Sequence, residues 1–413
     1  MTNVPDIPIE SAAGGPPWVV VATMTPWEEV PRIRHQIARG LARYYRVLYI
    51  TFPTSWQDKY RSEISSPEVG IVVWRPSNWF TVPGRVVAGL PAARLPEQCY
   101  LSSAFDRQLR SLDSEPRFVI NFDHRNNWIQ QRRWFPRSVY LCNDDHSLPF
   151  ARSKPQPQLA ALTRRQMREA ARRADLCLVT SEHYRQVLEM DDRAQVFLPG
   201  HDLPVTTPSL GQSGDSTRPI RVGYMGYISR RLNRDWVQHA AQQSDIEFHA
   251  IGPVVDQEVY NGLKKHHVQL ESPLTGRALL DWLVQMDVLT IPYDISRDEA
   301  LGLTAPNKIF AYLAAGKPVV VSELPSLREW CTNTIYRAED RESFLRQIRR
   351  ARDDDNVAYA GQRLDVARQH TWEKQIETLL GLIEPRSYVS KQVQYSTCTD
   401  SDTTQQHSHE LSR

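Results

Sequence analysis

Apolar runs and helical stretches alternate along almost the whole chain. Trp18–Met24 (WVVVATM) is an unbroken apolar run of strand length, Ile33–Tyr44 carries helical spacing, and Val47–Phe52 is a second apolar run. That order predicts a βαβ unit and a parallel sheet, because strands covered by helices on both faces read as continuous apolar runs. Further strand-like runs fall at Val69–Trp74, Phe118–Phe122, Ser138–Cys142 and Leu176–Thr180, the last reached through a basic helix over Leu162–Arg173. Leu203–Arg218 is rich in Pro, Ser, Thr and Gly, with no apolar period, and reads as a linker. Beyond it the pattern restarts with Ile220–Tyr224, a helix from Asp235, Glu247–Ile251, His267–Gln269, a helix from Arg277, Val288–Ile291, a helix over Asn307–Ala315 and a strand over Lys317–Val321.

The pattern predicts an α/β chain of two doubly wound domains, residues 18–202 and 219–370, joined by the linker 203–218. Residues 1–17 and 387–413 read as disordered ends, and a helix over 371–386 is expected to pack back on the first domain. In such sheets ligands bind at the carboxyl ends of the strands, so a pair of these domains would hold a ligand in the cleft between them.

Composition narrows the classes. The 413 residues are 41% hydrophobic, with 50 Lys+Arg against 48 Asp+Glu, so no global charge draws the chain to nucleic acid. The five cysteines, Cys99, Cys142, Cys177, Cys331 and Cys398, form no CxxC pair and read as reduced thiols. His407 and His409 in the tail lack further ligands for a metal. The start, MTNVPDIPIESAAGGPP, lacks the basic and apolar regions of a signal peptide, and no apolar run reaches membrane-span length. These features predict a cytoplasmic protein.

The sharpest chemical segment is Ala305–Val321, APNKIFAYLAAGKPVVV. Pro306 would begin a helix whose first turn offers free N–H groups, with Lys308 beside them to hold an anion; Gly316 would end it before Pro318 enters a strand. A helix–Gly–strand crossover packed in a core accounts for the same residues. This segment resembles the signature of GT-B glycosyltransferases of family four, roughly P-x-K-x-x-E-Y-L-A-A-G-K-P-V-V. IRVGYMGYISRRLN (Ile220–Asn233) resembles the phosphate-side strand and loop, and HAIGPV and DVLTIPYD resemble the nucleotide-side strands. In the first half, PWEEVPRIRHQIARGLARYYRVLYI, VYLCNDD (Val139–Asp145) and ADLCLVTSE with FLPGHD resemble polysaccharide-assembling members, so the likeness spans about Trp18 to Glu384.

The resemblance implies two Rossmann-like domains and a nucleoside-diphosphate sugar donor, UDP-linked, held by the second domain. Arg231 and Lys308 fall where the family neutralises the diphosphate, with Arg230 a competitor for the first role, and Gly226, Tyr293, Pro306 and Asn307 complete the expected donor site. No Asp-x-Asp is present and Asp294, Asp298 and Glu299 are not spaced like one, which predicts transfer without a metal or other cofactor. Fixed cations and a helix N-terminus can stabilise the leaving diphosphate. The family Glu that accepts hydrogen bonds from the ribose is replaced by Ala311, and its usual partner acid by Leu303. Glu299 is one substitute; a catalytically inactive relative is another reading.

On the acceptor side Asp144 and Asp145 end a predicted strand, where one could take the proton of an acceptor hydroxyl, Asp144 being the more regular family position. Capping of the following turn is the alternative, and His124 and His146 are further candidates. Arg75, Trp79, Phe80, Arg85 and Arg94, and again Arg132, Arg133, Trp134 and Arg137, interleave aromatic and basic residues as a surface for anionic lipid would. The resemblance implies a lipid-linked or oligosaccharide acceptor in cell-surface or exopolysaccharide synthesis, peripheral at the inner face of the plasma membrane, and a retaining outcome. A sugar-nucleotide epimerase or a scaffold on the same fold are the rival readings. A dehydrogenase is disfavoured, since Gly223 and Gly226 lack the third glycine and the ribose acid of a dinucleotide site.

Overall fold

The computed structural model describes residues 15–54, 59–148, 156–205, 207, 218–296, 308–324, 327 and 335–384. The first domain holds one sheet of β1 (Trp18–Thr23), β2 (Arg46–Thr51), β3 (Glu63–Glu68), β4 (Ile71–Arg75), β5 (Val119–Asn121), β6 (Ser138–Cys142), β7 (Leu176–Val179) and β8 (Ala194–Val196), in the order β3-β4-β2-β1-β5-β6-β7-β8. Neighbours are parallel except β3 and β4. Its helices are α1 (Ile33–Leu41), α2 (Gly84–Gly89), α3 (Leu95–Arg110), α4 (Pro157–Arg173) and α5 (Glu182–Leu188).

The second sheet is all parallel: β9 (Ile220–Met225), β10 (Ile246–Ile251), β11 (Gln269–Glu271), β12 (Val288–Ile291), β13 (Val319–Ser322) and β14 (Ile335–Ala338), in the order β11-β10-β9-β12-β13-β14. With it go α6 (Arg234–Ala241), α7 (Gln257–Lys265), α8 (Gly276–Gln285), α9 (Lys308–Ala314), α10 (Arg341–Asp353) and α11 (Val357–Gln369), and the chain continues into α12 (Trp372–Ile383). Both sheets are doubly wound, and strand order reverses between β1 and β5 in one and between β9 and β12 in the other. Those switch points open crevices at the carboxyl ends of the strands.

The continuous apolar runs have the two-sided burial that parallel sheets need. In β1, Val19 and Val21 face Ile33, Ile37 and Leu41 of α1, while Trp18, Val20 and Ala22 face Leu101 and Phe105 of α3. Helix α12 lies on the α1 face of the first sheet, where Trp372, Ile376, Leu379, Leu380 and Ile383 join that domain's core. The segment entering α12 and the segment leaving β8 run side by side: the His201 N–H donates to the His370 carbonyl at 3.0 Å and the Trp372 N–H to the His201 carbonyl at 3.1 Å.

Several elements differ from the sequence reading. The run expected at Val69–Trp74 begins at Ile71, because Gly70 turns with φ +78° and leaves Val69 exposed between β4 and its antiparallel partner β3. Strand β3, EISSPE, has no apolar alternation to announce it. The strand expected at His267–Gln269 starts at Gln269, since His267 takes a left-handed turn with φ 63°. Most of the linker 203–218 and all of residues 1–14 and 385–413 lie outside the described residues.

Gly200 has no room for a side chain. A Cβ there would stand 2.7 Å from the Trp372 backbone N and 2.9 Å from the Thr371 carbonyl carbon, and backbone cannot yield as a side chain can. Gly200→Ala should therefore destabilise the fold by about 1–3 kcal/mol, the cost of overpacking, read as a lower urea midpoint. An unchanged midpoint would show that the crossing relaxes freely.

Candidate functional site

The recess at the end of β9 is made by two glycines. Gly226 has φ +149° and Gly252, at the end of β10, φ +144°, a backbone region closed to side chains. A Cβ on Gly252 would strike the Gly226 carbonyl oxygen and lie 2.7 Å from its carbon, so these strand ends meet backbone to backbone. A Cβ on Gly226 would strike the Lys308 ammonium and lie 2.7 Å from the Tyr224 hydroxyl. The space that Gly226 leaves is where Lys308 sits.

Lys308 opens α9, and its Nζ donates to the Tyr224 hydroxyl at 3.2 Å while lying 4.3 Å from the Tyr224 ring centroid and 5.1 Å from that of Tyr293. Each ring face adds a modest cation–π attraction. Burial pushes the Tyr224 phenol well above its ordinary value, so it meets the ammonium as a neutral group. Tyr312, one turn along α9, accepts the Met225 N–H at 2.7 Å and donates towards the Thr290 carbonyl at 3.3 Å, fixing the helix against β9 and β12. Neither Tyr224 nor Tyr312 stood out in the sequence, because a buried tyrosine there has the pattern of any core residue.

The loop after Gly226 is pinned on both sides. The Ile228 N–H donates to Pro253 at 2.9 Å, Asn233 to Pro292 at 2.8 Å, and Asp294 to the Arg231 carbonyl at 2.8 Å. The loop carries Arg230 and Arg231, and among the described residues only one of them is ion-paired. Arg230 reaches Asp256 at 2.6 Å and Glu258 at 3.7 Å, on the first turn of α7. The Arg231 side chain has no ion pair among the described residues, and its charge pulls the Tyr224 phenol downwards against burial. Ala311 is buried in the domain core, so the position of the family acid is filled by apolar packing. Pro306, Asn307, Leu303, Asp298 and Glu299 lie outside the described residues.

In the first domain the ends of β1, β5 and β6 carry a second polar cluster. Asp145 is occupied as a cap, its Oδ1 accepting the Ser147 N–H at 2.9 Å and the Ser147 hydroxyl at 2.6 Å. Asp144 is half-buried and its Oδ2 accepts from the Asn143 side-chain amide at 2.7 Å. The amide oxygen of Asn143 in turn accepts from Arg34 at 3.2 Å, and Arg34 also donates to the Thr25 hydroxyl. Sequence reasoning missed Arg34, Asn143 and Thr25; a charged residue at a buried position of the α1 pattern was the available signal. The rings of His124 and His146 stack at 4.9 Å, and burial holds both below the ordinary imidazole value, His124 well below it with His146 adding to the effect. Beneath them burial pushes the Asp123 carboxyl up, but Arg125, at 3.0 Å, outweighs it and keeps Asp123 ionised. Among the described residues no cluster of His, Cys, Asp and Glu could hold a metal ion.

The interleaved basic and aromatic residues separate. Arg94 is buried, donating to the Arg125 carbonyl at 2.7 Å and to Asn126 at 3.1 Å, so it is not part of a surface. Arg75 faces Glu63 at 3.9 Å and the Tyr60 ring at 3.8 Å, Arg132 pairs with Asp175 at 2.5 Å, and Arg133 covers the Trp134 ring at 3.8 Å. Arg137 is partly buried, and the Arg85 side chain lies outside the described residues. Trp79, Phe80, Val86, Leu90 and Leu95 stay exposed, as do Arg75, Arg132 and Arg133, each engaged with its partner. No helix of the described residues is long and apolar enough to cross a membrane.

Residues 230–381 match the family model described as "Glycosyl transferase-like". No curated protein matches the chain. Solved structures resemble nearly all of it. A sucrose-phosphate synthase from Thermosynechococcus elongatus is 15% identical with a TM-score of 0.62, over 89% of this chain and 98% of that one. Anabaena HepE in complex with UDP-glucose is 14% identical with a TM-score of 0.59, over 89% and 100%. A structure described as "Trehalose-6-phosphate from E. coli bound with UDP-2-fluoro glucose" is 12% identical with a TM-score of 0.59, over 88% and 98%. At such identities the likeness is one of fold. The chain therefore has the two-domain GT-B fold, with a glycosyl transferase-like segment in its second half.

Proposed function

We propose that this protein is a glycosyltransferase that moves a sugar from a UDP-linked donor to a lipid-linked or polysaccharide acceptor in cell-surface or exopolysaccharide synthesis. The observation that carries the reading is Lys308, an ammonium seated at a glycine-made recess on the strand switch point of the second domain. Two of the resembling structures hold UDP-glucose or its fluoro analogue, which supports a UDP donor. In this reading Lys308 and Arg231 neutralise the leaving diphosphate, and charge developing there is met by groups already in place. Pro306 and Asn307 would complete the donor site, as the resemblance implies. Asp144 would take the proton of the acceptor hydroxyl, and Asp145 would hold the turn that presents it. The apolar filling around Ala311 favours a second reading, a donor-binding protein without turnover. Release of UDP from UDP-sugars separates the two.

Lys308→Ala should weaken UDP binding by about 1.5–3 kcal/mol, the usual size of a charge-assisted contact. Arg231→Ala should do the same and Arg230→Ala less, since Arg230 is already engaged by Asp256 and Glu258. Calorimetry with UDP is the measurement, and unchanged binding in Lys308→Ala would remove the diphosphate assignment.

Asp144→Asn should leave UDP affinity intact and lower transfer by about a hundredfold, the scale of general base catalysis. Normal turnover by the variant would exclude that role. The exposed residues of segment 79–95 would lie against an anionic membrane and bring the lipid-linked acceptor to the first domain. Co-sedimentation with acidic vesicles should be lost when Trp79, Phe80, Leu90 and Leu95 are replaced by Ser. Equal recovery of the quadruple variant would assign binding elsewhere.

A further inference from the structure

Arg34 is a guanidinium buried at the start of α1 with no carboxylate at salt-bridge distance among the described residues. One Nη donates to the Thr25 hydroxyl and the other to Asn143 Oδ1 at 3.2 Å; Nε is buried without a hydrogen-bond partner among the described residues. An isolated buried cation is costly, and such a group persists either because the fold compensates it or because a site uses it. The nearby acid, Asp144, is reached only through the Asn143 amide, whose Nδ2 donates to Asp144 Oδ2 at 2.7 Å.

The chemistry of a guanidinium fixes that bridge. Arginine can only donate, so the amide must turn its oxygen to Arg34 and its NH2 to Asp144; the reverse orientation would set donor against donor. We propose that Arg34 is a positioning residue for Asp144, acting through Asn143 to keep a hydrogen-bond donor aimed at the Asp144 carboxylate and so to hold its orientation. The inference rests on the reading of Asp144 as the acceptor base and adds the residues that prepare it. Without the Asn143 donor, or without the Arg34 charge that orients it, the Asp144 carboxylate loses the contact that fixes its direction.

Other charges face the same spot. His146 and Asp145 lie on the same loop, Tyr184 of α5 and Cys142 of β6 feel the Asp144 charge, and Asp123 and Arg125 act on His146 from behind. The variants leave all of these in place, so a shift they cause belongs to the bridge.

The test is a carbon NMR spectrum, at neutral pH, of protein labelled at the aspartate side-chain carboxyl carbon. The resonance missing from Asp144→Asn identifies the group. It should shift in both Asn143→Ala and Arg34→Met, and the Asn143 side-chain amide resonances, identified by their loss in Asn143→Ala, should shift in Arg34→Met as the amide loses its fixed orientation. Arg34→Met should also melt at or above the wild-type temperature, because an apolar side chain of similar length replaces an unpaired buried charge. A purely structural Arg34 would instead lower the melting temperature and leave the Asp144 resonance where it was. Should Arg34→Met fail to fold, Asn143→Ala, altering a half-buried side chain, carries the test alone. A resonance unmoved in the folded variants overturns the proposal even if Asp144→Asn abolishes transfer. Normal transfer by Asp144→Asn would remove the base reading while leaving the spectrum to decide the bridge.

Discussion

Gly226 and Gly252 meet through their backbones, and the recess that holds Lys308 exists because neither carries a side chain. Close approach of two strand ends normally leaves room filled by Cβ atoms. Here a Cβ on Gly252 would drive into the Gly226 carbonyl, and one on Gly226 would expel the Lys308 ammonium. Positive φ at both positions costs glycine little and other residues much. The contact sets the entry of the 226–233 loop, which is then tied to β10 through Pro253 and to β12 through Pro292. Arg230, Arg231 and Lys308 are thus placed by backbone geometry before any ligand contributes.

Two cations of different character follow from this arrangement. Lys308 is half-buried on aromatic faces, its ammonium held by a neutral phenol and able to turn to an anion, whereas Arg34 donates to neutral oxygens in the interior of the first domain and leaves its Nε without a partner among the described residues. Lysine suits the first role as a compact charge on a flexible stem. Arginine suits the second, since its planar fork can hold Thr25 and Asn143 at fixed angles together.

The fold was legible in the sequence wherever burial on both faces forced continuous apolar runs, as in Trp18–Thr23, Ser138–Cys142 and Val288–Ile291. It was not legible in β3, whose EISSPE pairs along an edge and needs no apolar face, nor at His267, where one left-handed residue delays the strand. Of the site, Lys308 and the glycine turn were readable because a cation beside a helix start and a Gly near a strand end have local signatures. The Arg34–Asn143–Asp144 bridge was not, because it joins positions 109 residues apart whose types are individually ordinary. The surface reading of Arg94 failed for a related reason: sequence shows a basic residue among apolar ones but not the Arg125 carbonyl and Asn126 amide that receive it inside.

The chain closes on itself in a way that links the domains thermodynamically. Helix α12 comes last among the described elements, yet its Trp372, Ile376, Leu379, Leu380 and Ile383 complete the core beneath β1, the first strand. Gly40 of α1 has no space for a Cβ beside Ile376, and Arg117 and Tyr45 both reach Glu384 at the helix end. The first domain therefore cannot bury its α1 face until the second has been traversed. Closing so long a loop costs entropy only logarithmically in length, but it delays the rewarding contacts. The same clamp fixes the first domain's sheet, with Asp144 just beyond the end of β6, to the chain that leaves α11, whose His370 ring stacks on Phe310 of the Lys308 helix at 4.4 Å.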